Sequence, residues 1–371
     1  MDDPSPPGLF ADLPFYAAHF MDLALWEPFV RHVASCSGFE CQRILPGLPG
    51  TYPTFIVELG NPEGQSIPSS IVVKFFGPLF DGAGSFQVER AMGIFIAKEP
   101  LCIHAPGILA EGRLTPDWCY LIFEHIPGVS IGQARQELPT DTLDEVAVQL
   151  GKFMRELHTF TATDRPVITM GVTKMSWDGY VAFLEAQRAK CYDAHQHWHD
   201  LPPHLLAELI DFIPPVEQLI DLTSPSHLIH ADLTADHLLG RLVPSDSSAT
   251  LATIKSHYPA HPVAALPVIR PSTGSAGMGW ESLAIIDWGD SRLGNILYEL
   301  AALHFDLFQA DKHLLHLCLQ AYGLPAFYQQ EFARKAFSMV LLHQFPMPTQ
   351  IYAPHHDAQS LAELAERLFG L

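Results

Sequence analysis

The sequence predicts an α+β fold in two lobes: a small N-terminal antiparallel sheet carrying one helix, then a larger, mainly helical C-terminal lobe. Three observations predict it. Runs rich in β-branched and aromatic residues concentrate in residues 54–124. Apolar residues at helical spacing dominate after Ile126-Pro127-Gly128. A chain of 371 residues with 48% hydrophobic content is long enough to bury more than one core.

Taken in order, residues 14–35 read as a helix with Phe15, Ala18, Leu25, Phe29 and Val33 on its apolar side. Residues 54–59 and 70–76 read as strands of a hairpin, joined across the turn-rich Gly60-Asn-Pro-Glu-Gly64. A helix over 86–98 and strands over 107–110 and 118–124 complete the first lobe. Thr142-Leu-Asp-Glu145 has the form of a capping box, and Leu143, Val146, Leu150, Phe153, Met154 and Leu157 follow it at helical spacing. Further helices are expected over 177–192, over 205–213 (stopped by Pro214-Pro215), and over 296–308, 312–322, 326–343 and 358–369. Short strands fit 228–229 and 283–286. The expected organisation is an N-terminal helical extension over 1–40, a first lobe over 41–126, and a helical lobe over 127–371. Residues 244–279, rich in Ser, Thr, Pro, Ala and Gly without a period, read as a mobile insertion.

Composition narrows the partners. Twenty-one Lys plus Arg against 41 Asp plus Glu give a net charge of −20, which argues against a nucleic-acid surface, because phosphate neutralisation needs a basic patch. Six cysteines without a C-x-x-C pair describe neither a disulfide framework nor a zinc ribbon. No apolar run approaches the ~20 residues that span a bilayer, and Met1-Asp2-Asp3-Pro4 lacks the basic and apolar regions of a signal peptide. The expectation is a cytoplasmic protein with no membrane contact.

Two segments carry chemistry. In His227-Leu-Ile-His-Ala-Asp-Leu-Thr-Ala-Asp-His-Leu-Leu239, a short apolar strand leads into a loop bearing His230, Asp232, Asp236 and His237. Ionisable groups crowded between buried strands are costly to desolvate and often functional, although such Asp and His also cap backbone groups. In Leu283-Ala-Ile-Ile-Asp-Trp-Gly-Asp-Ser-Arg-Leu-Gly-Asn295, Asp287 directly follows a buried strand, a position suited to holding a metal ion or to capping a turn.

In this order the two segments resemble the aminoglycoside phosphotransferase and choline kinase group of the protein-kinase-like fold. That group carries His-Gly-Asp-x-x-x-x-Asn and, downstream, Ile-Asp-Trp-x-x-x-x-x-Gly-Asp. Here they stand as His230-Ala231-Asp232 through His237, and as Ile286-Asp287-Trp288 through Gly294-Asn295. Val73-Lys74 on a strand before a helix with Glu89 resembles the kinase Lys and its Glu partner. Leu121 through Gly128 resembles the interlobe hinge, and Leu150 through His158 the helix ending in Leu-His. The matches span roughly residues 45–305.

The resemblance implies transfer of a phosphoryl group from ATP to a hydroxyl of a small molecule. Lys74 would hold the α- and β-phosphates and Glu89 would orient it. Asp287 would bind Mg²⁺, Asp232 would take the acceptor's hydroxyl proton, and His230 would brace the loop. Backbone groups from Glu124 to Ile126 would meet the adenine edge. Lys74 and Glu89 also admit a plainer reading, a snorkelling Lys and a solvated helix Glu. Where the family has a metal-binding Asn, this chain has His237, an imidazole that favours softer ions such as Mn²⁺ over Mg²⁺. Asp236 beside it offers an oxygen in compensation. The phosphate-covering turn, Pro46-Gly-Leu-Pro-Gly-Thr-Tyr-Pro53, has two glycines, but its three prolines each remove an N–H donor.

Those departures keep open a nucleotide-binding pseudokinase without catalysis. A metal-dependent enzyme of another fold is a further alternative, because His230-x-Asp232 has the form of the first two ligands of a 2-His-1-carboxylate site. His195, His197 and His199 fit a solvated helix end better than a metal site. Glu299, Asp306 and Asp311, with the net charge, would suit a cationic acceptor.

Overall fold

A computed structural model describes residues 12–60, 68–161, 176–224, 226–244 and 278–371. The residues read as a mobile insertion, 244–279, lie outside the described residues but for their ends.

The chain opens with helices α1 (Leu13–His19) and α2 (Leu23–Cys36), so the single helix expected over 14–35 is two. The break has a local cause. Asp22 leaves the helical region and its carboxylate accepts the Ala24 N–H at 3.0 Å, which starts a new helix. Strands β1 (Cys41–Pro46), β2 (Thr54–Leu59), β3 (Ser70–Phe76), β4 (Ile108–Thr115) and β5 (Trp118–Glu124) form an antiparallel sheet in the order β1-β2-β3-β5-β4. Helix α3 (Gly82–Phe95) lies between β3 and β4 in sequence. Alternation sets the faces: Phe55, Val57 and Leu59 of β2 are buried while their neighbours are less so. Trp26 of α2 is fully buried against Phe55, Phe75 and Trp118, so the N-terminal helices share the core of this sheet.

The helical lobe starts at β6 (Val129–Ser130), α4 (Ile131–Ala134) and α5 (Thr140–Leu157). Thr142 is not a cap: α5 begins two residues earlier, after Pro139, with Asp141 in its first turn where the helix dipole favours an anion. A capping box does form at Ser130 and Gln133 of α4. Then come α6 (Trp177–Trp198), α7 (Pro203–Phe212), α8 (Val216–Leu219), β7 (His227–Ile229), β8 (Leu238–Pro244), β9 (Met278–Ile285) and β10 (Arg292–Gly294). The last helices are α9 (Ile296–Ala302), α10 (Lys312–Tyr322), α11 (Ala326–Gln329), α12 (Phe332–Leu341), α13 (Thr349–Tyr352) and α14 (Leu361–Phe369). Strands β7 and β10 pair antiparallel, and β6, β8 and β9 form a second small sheet. Helices α5 and α10 pack closely because Gly151 lacks a side chain; a Cβ there would lie 2.2 Å from the Cys318 carbonyl oxygen. The helix expected over 296–308 becomes a π-turn at Leu303–Leu307, and that over 326–343 breaks at Glu331, which has a left-handed φ of 51°. Among the described residues no helix is long and apolar enough to cross a membrane.

Candidate active site

Lys74 is on β3 and Glu89 on α3, and Asp287 follows β9 from the other lobe. The structure brings all three together: Lys74 Nζ donates to Glu89 Oε2 and to Asp287 Oδ1, each at 2.8 Å. Lys74 and Glu89 are buried, at 6% and 4% exposure, whereas Asp287 keeps a third of its side chain open. Of the three, the carboxylate that bridges the lobes is the most open to a ligand. The physical signs are consistent. Desolvation opposes charge on Lys74, but Asp287 and Glu89 outweigh it and raise its pKa. Burial pushes the Glu89 carboxyl up to about 7 although Lys74 pulls it down. Asp287, despite desolvation, is held well below the usual carboxylate range by Lys74 and His237. The plainer reading of a snorkelling Lys and a solvated Glu does not describe this pair.

The loop after β7 is built from behind. Glu299 of α9, fully buried, accepts the N–H of His230 at 3.2 Å and of Ala231 at 2.7 Å. Burial raises its carboxyl pKa to about 7 while those two N–H groups lower it. His230, fully buried, has Nε2 at 2.9 Å from the Ile286 carbonyl and Nδ1 at 3.4 Å from the Asp232 N–H, so it braces the loop against the Asp287 segment. Both ring nitrogens are engaged with backbone, which removes the reading of His230-x-Asp232 as an iron-type site on another fold. The backbone turns sharply: Ala231 has φ 70° and Asp287 φ 63°. A left-handed alanine is strained, so Ala231→Gly is expected to stabilise the protein by about 1 kcal/mol in urea unfolding.

His237 lies between the Asp232 and Asp287 carboxylates, which are each partly open to solvent. His237 Nδ1 lies 2.6 Å from the Asp232 carbonyl oxygen, and its Nε2 lies 3.7 Å from Asp287 Oδ2. An Nδ1–H donated to a carbonyl leaves Nε2 free to bind a cation, the usual way a protein orients a ligating imidazole. Burial lowers the His237 pKa, and the Asp287 and Asp232 carboxylates raise it by more. Burial lifts the Asp232 carboxyl to about 6, with His237 opposing and Asp290, Asp287 and Asp306 adding to the rise.

Several expected residues are used otherwise. Asp236 accepts the Ser130 hydroxyl at 2.8 Å, so it braces α4 rather than standing in for an Asn beside His237. Glu299 is committed to the loop, Asp306 accepts the Ala235 N–H at 2.6 Å, and Asp311 caps α10 through the His313 N–H at 2.8 Å. These bonds account for all three acids, which supply no argument for a cationic acceptor. His195 is not at a solvated end: it is buried in α6, its Nδ1 2.9 Å from Asp200 and its Nε2 2.9 Å from the Leu341 carbonyl. His197 and His199 are exposed, and no cluster of three metal-ligating side chains occurs among the described residues.

The turn over 46–53 is pinned from outside. Tyr16 Oη donates to the Thr51 carbonyl at 2.6 Å, and Tyr52 Oη donates to the Phe80 carbonyl at 2.7 Å. The Tyr52 ring centroid lies 5.7 Å from Lys74 Nζ, so an aromatic face covers the lysine where a glycine cradle would be open. At the end of β5 the Glu124 carboxylate meets His104 at 2.5 Å and the Gly107 N–H at 3.1 Å, while Ile126 lies two residues beyond the strand, partly buried.

A five-stranded sheet with one helix, a buried Lys–Glu pair and two strand-end aspartates from the helical lobe define a protein-kinase-like phosphotransfer fold. The model of the APH phosphotransferase enzyme family matches residues 53–241, just over half of the chain, and the chain belongs to that family. Among solved structures, the GDP complex of wild-type aminoglycoside 2′-phosphotransferase-IIIa is similar over 94% of this chain and 97% of its own, with a TM-score of 0.60 and 16% identity. A GDP and kanamycin complex of an APH(2″) enzyme is similar over 85% of this chain and 89% of its own, with a TM-score of 0.57 and 16% identity. At this identity the likeness is one of fold. A curated Arabidopsis thaliana protein, lysine-specific demethylase JMJ21, is 23% identical over 282 residues, which cover 71% of this chain and 28% of that protein. The chain thus spans less than a third of that relative's length.

Proposed function

We propose that the protein transfers the terminal phosphoryl group of ATP to a hydroxyl of a small molecule, with a divalent ion at Asp287 and His237. The observation that carries this reading is the bridge from Lys74 to Asp287, together with His237 set between Asp287 and Asp232. The donor set fits a divalent ion. A carboxylate oxygen suits Mg²⁺, and a lone pair on His237 Nε2 facing Asp287 Oδ2 at 3.7 Å is favourable only with a proton or cation in between. When bound, such an ion supplies positive charge beside the phosphate oxygens.

The chain's own residues divide the rest. Lys74 holds phosphate oxygens, with Glu89 fixing its direction. The backbone from Glu124 to Ile126 receives the base. The acceptor oxygen forms the new bond to phosphorus, the bond from phosphorus to the β-phosphate oxygen breaks, and the hydroxyl proton passes to Asp232. Glu299 and His230 hold Asp232 where that transfer is possible. The pseudokinase alternative draws on His237 and on the prolines of the 46–53 turn, and turnover separates the two.

Asp287→Asn is expected to weaken metal-dependent ATP binding at least about tenfold, because a neutral amide loses the charge that holds the ion. His237→Asn is expected to keep or raise Mg²⁺-dependent turnover and to reduce any preference for Mn²⁺. Calorimetric binding and initial rates under both metals test these. Wild-type affinity for Mg·ATP in Asp287→Asn would place the metal elsewhere, and ATP binding with no turnover of any acceptor would favour the pseudokinase.

A further inference from the structure

We propose that the acceptor carries an anionic carboxylate or phosphate group besides its hydroxyl, and that Arg292 receives it. The inference rests on the phosphotransferase reading above and adds the acceptor's charge. Arg292 is rigidly placed: on β10 it pairs with Ile229 of β7, three residues before Asp232. It is 5% exposed, with its guanidinium carbon 4.4 Å from the Phe183 ring centroid and 5.5 Å from that of Tyr298. The two rings meet edge-to-face with centroids 5.7 Å apart, so they back the guanidinium from one side and leave its N–H edge for a planar oxyanion.

That edge is unfilled. Among the described residues, the one hydrogen bond of Arg292 runs from Nε to the Asp290 carbonyl at 3.2 Å. Its nearest carboxylate oxygen, Asp290 Oδ1, is 4.0 Å from Nη2, beyond hydrogen-bond reach. Buried charges are ordinarily closely paired, so a buried guanidinium whose ion pair with Asp290 is a loose 4.0 Å contact, and whose Nη groups make no hydrogen bond among the described residues, marks a place for an anion. The place is on the acceptor side. Asp290 and Tyr298, which flank Arg292, both share the electrostatic field of Asp232. His343 stacks on Tyr298 at 4.9 Å, has a buried Nε2 without a partner among the described residues, and lines a cavity of about 130 Å³ that also takes in Lys190. Asp232, Asp290 and Asp306 repel an anion elsewhere in this mouth. The guanidinium therefore selects a position as well as a charge, and orients the hydroxyl toward Asp232.

Initial rates with ATP and Mg²⁺ test this on wild type, Arg292→Met and Arg292→Lys. The acceptors are glycerate and homoserine (carboxylates), glycerol 3-phosphate and glucose 6-phosphate (phosphates), glycerol (neutral), and choline and kanamycin (cations). Thermal denaturation with millimolar glycerate or inorganic phosphate gives a readout free of turnover. An anionic acceptor should be used best, and Arg292→Met should raise its KM about 10- to 100-fold with less change in kcat. Arg292→Lys should fall between, since an ammonium keeps the charge and loses the fork. The stabilising anion should lose its Tm shift in Arg292→Met, and which anion stabilises separates carboxylate from phosphate. The proposal is overturned if neutral or cationic acceptors outrun anions, if Arg292→Met keeps the wild-type KM, or if no anion moves rate or Tm. Calorimetric Mg·ATP binding by the wild type without acceptor is measured alongside. Its absence sinks the phosphotransferase reading and this one with it; its presence without an anion response sinks only the acceptor charge. Should Arg292→Met fail to fold, Arg292→Lys carries the comparison.

Discussion

Asp232→Asn is expected to lower turnover by about 100- to 10,000-fold while the metal-free protein becomes no less stable. The first half follows from position. Asp232 is held by Glu299 and His230 through the backbone, and its partly exposed carboxylate flanks His237 opposite Asp287, so its oxygen is the group an acceptor hydroxyl would meet. The second half follows from burial. The folded Asp232 carboxyl is raised to about 6, so the folded state prefers the proton that an ordinary Asp has lost at that pH. A raised folded pKa contributes stability that is present below the unfolded pKa, near 3.9, and is lost as pH rises through about 6. An amide carries no such charge and escapes that loss. Urea unfolding of chelator-treated protein at neutral pH, with initial rates on the same samples, reads both halves. A variant that is both inactive and clearly less stable would mean that Asp232 is a structural group.

The parts legible in the sequence share one property: their determinants are local. Strands 54–59, 70–76 and 118–124 and helix 312–322 agree with their expected bounds because buried β-branched runs and a clean apolar stripe leave little choice. Edge strand β1, with Gln42 and Arg43 exposed, offers no such run. The π-turn at 303–307 is equally silent, since its use is to lay Asp306 on the Ala235 N–H, a contact 71 residues distant. The site divides in the same way. Lys74 sits within a strand, and Asp232 and Asp287 just past strand ends, all three in short motifs. Glu299 differs: a carboxylate on a helix reads as solvated until the fold shows it buried under the 230–231 amides. Arg292 likewise reads as one charge among many, because its aromatic partners come from residues 183 and 298.

Lys74→Met is expected to destabilise the protein by about 3 kcal/mol near neutral pH, with a deficit that grows with pH and is largely reversed by adding Glu89→Gln. The lysine neutralises two carboxylates that are not equivalent. Asp287 keeps a third of its side chain in solvent and can be hydrated when the ammonium is gone, whereas Glu89, 4% exposed, cannot. Even with Lys74 beside it, burial holds the Glu89 carboxyl at about 7, and the lysine is one of the groups that keep it from rising further. Removing Lys74 therefore raises the Glu89 pKa again. A carboxyl raised in the folded state contributes stability that is present below its unfolded pKa and is lost as pH rises through the folded one. The wild type completes that loss near 7, and the variant goes on losing stability above it. Lys74 itself, its pKa raised by Asp287 and Glu89, stays charged across this range and adds no titration of its own. Urea midpoints of wild type, Lys74→Met and Lys74→Met/Glu89→Gln at about pH 6 and about pH 9 separate the effects. The single variant should diverge from wild type toward the higher pH, and the double variant should be nearly level, because a neutral amide needs no cation. An equal deficit at both pH values that Glu89→Gln leaves untouched would show that Lys74 acts through packing on Tyr52 and Phe76 rather than through the charge it gives Glu89.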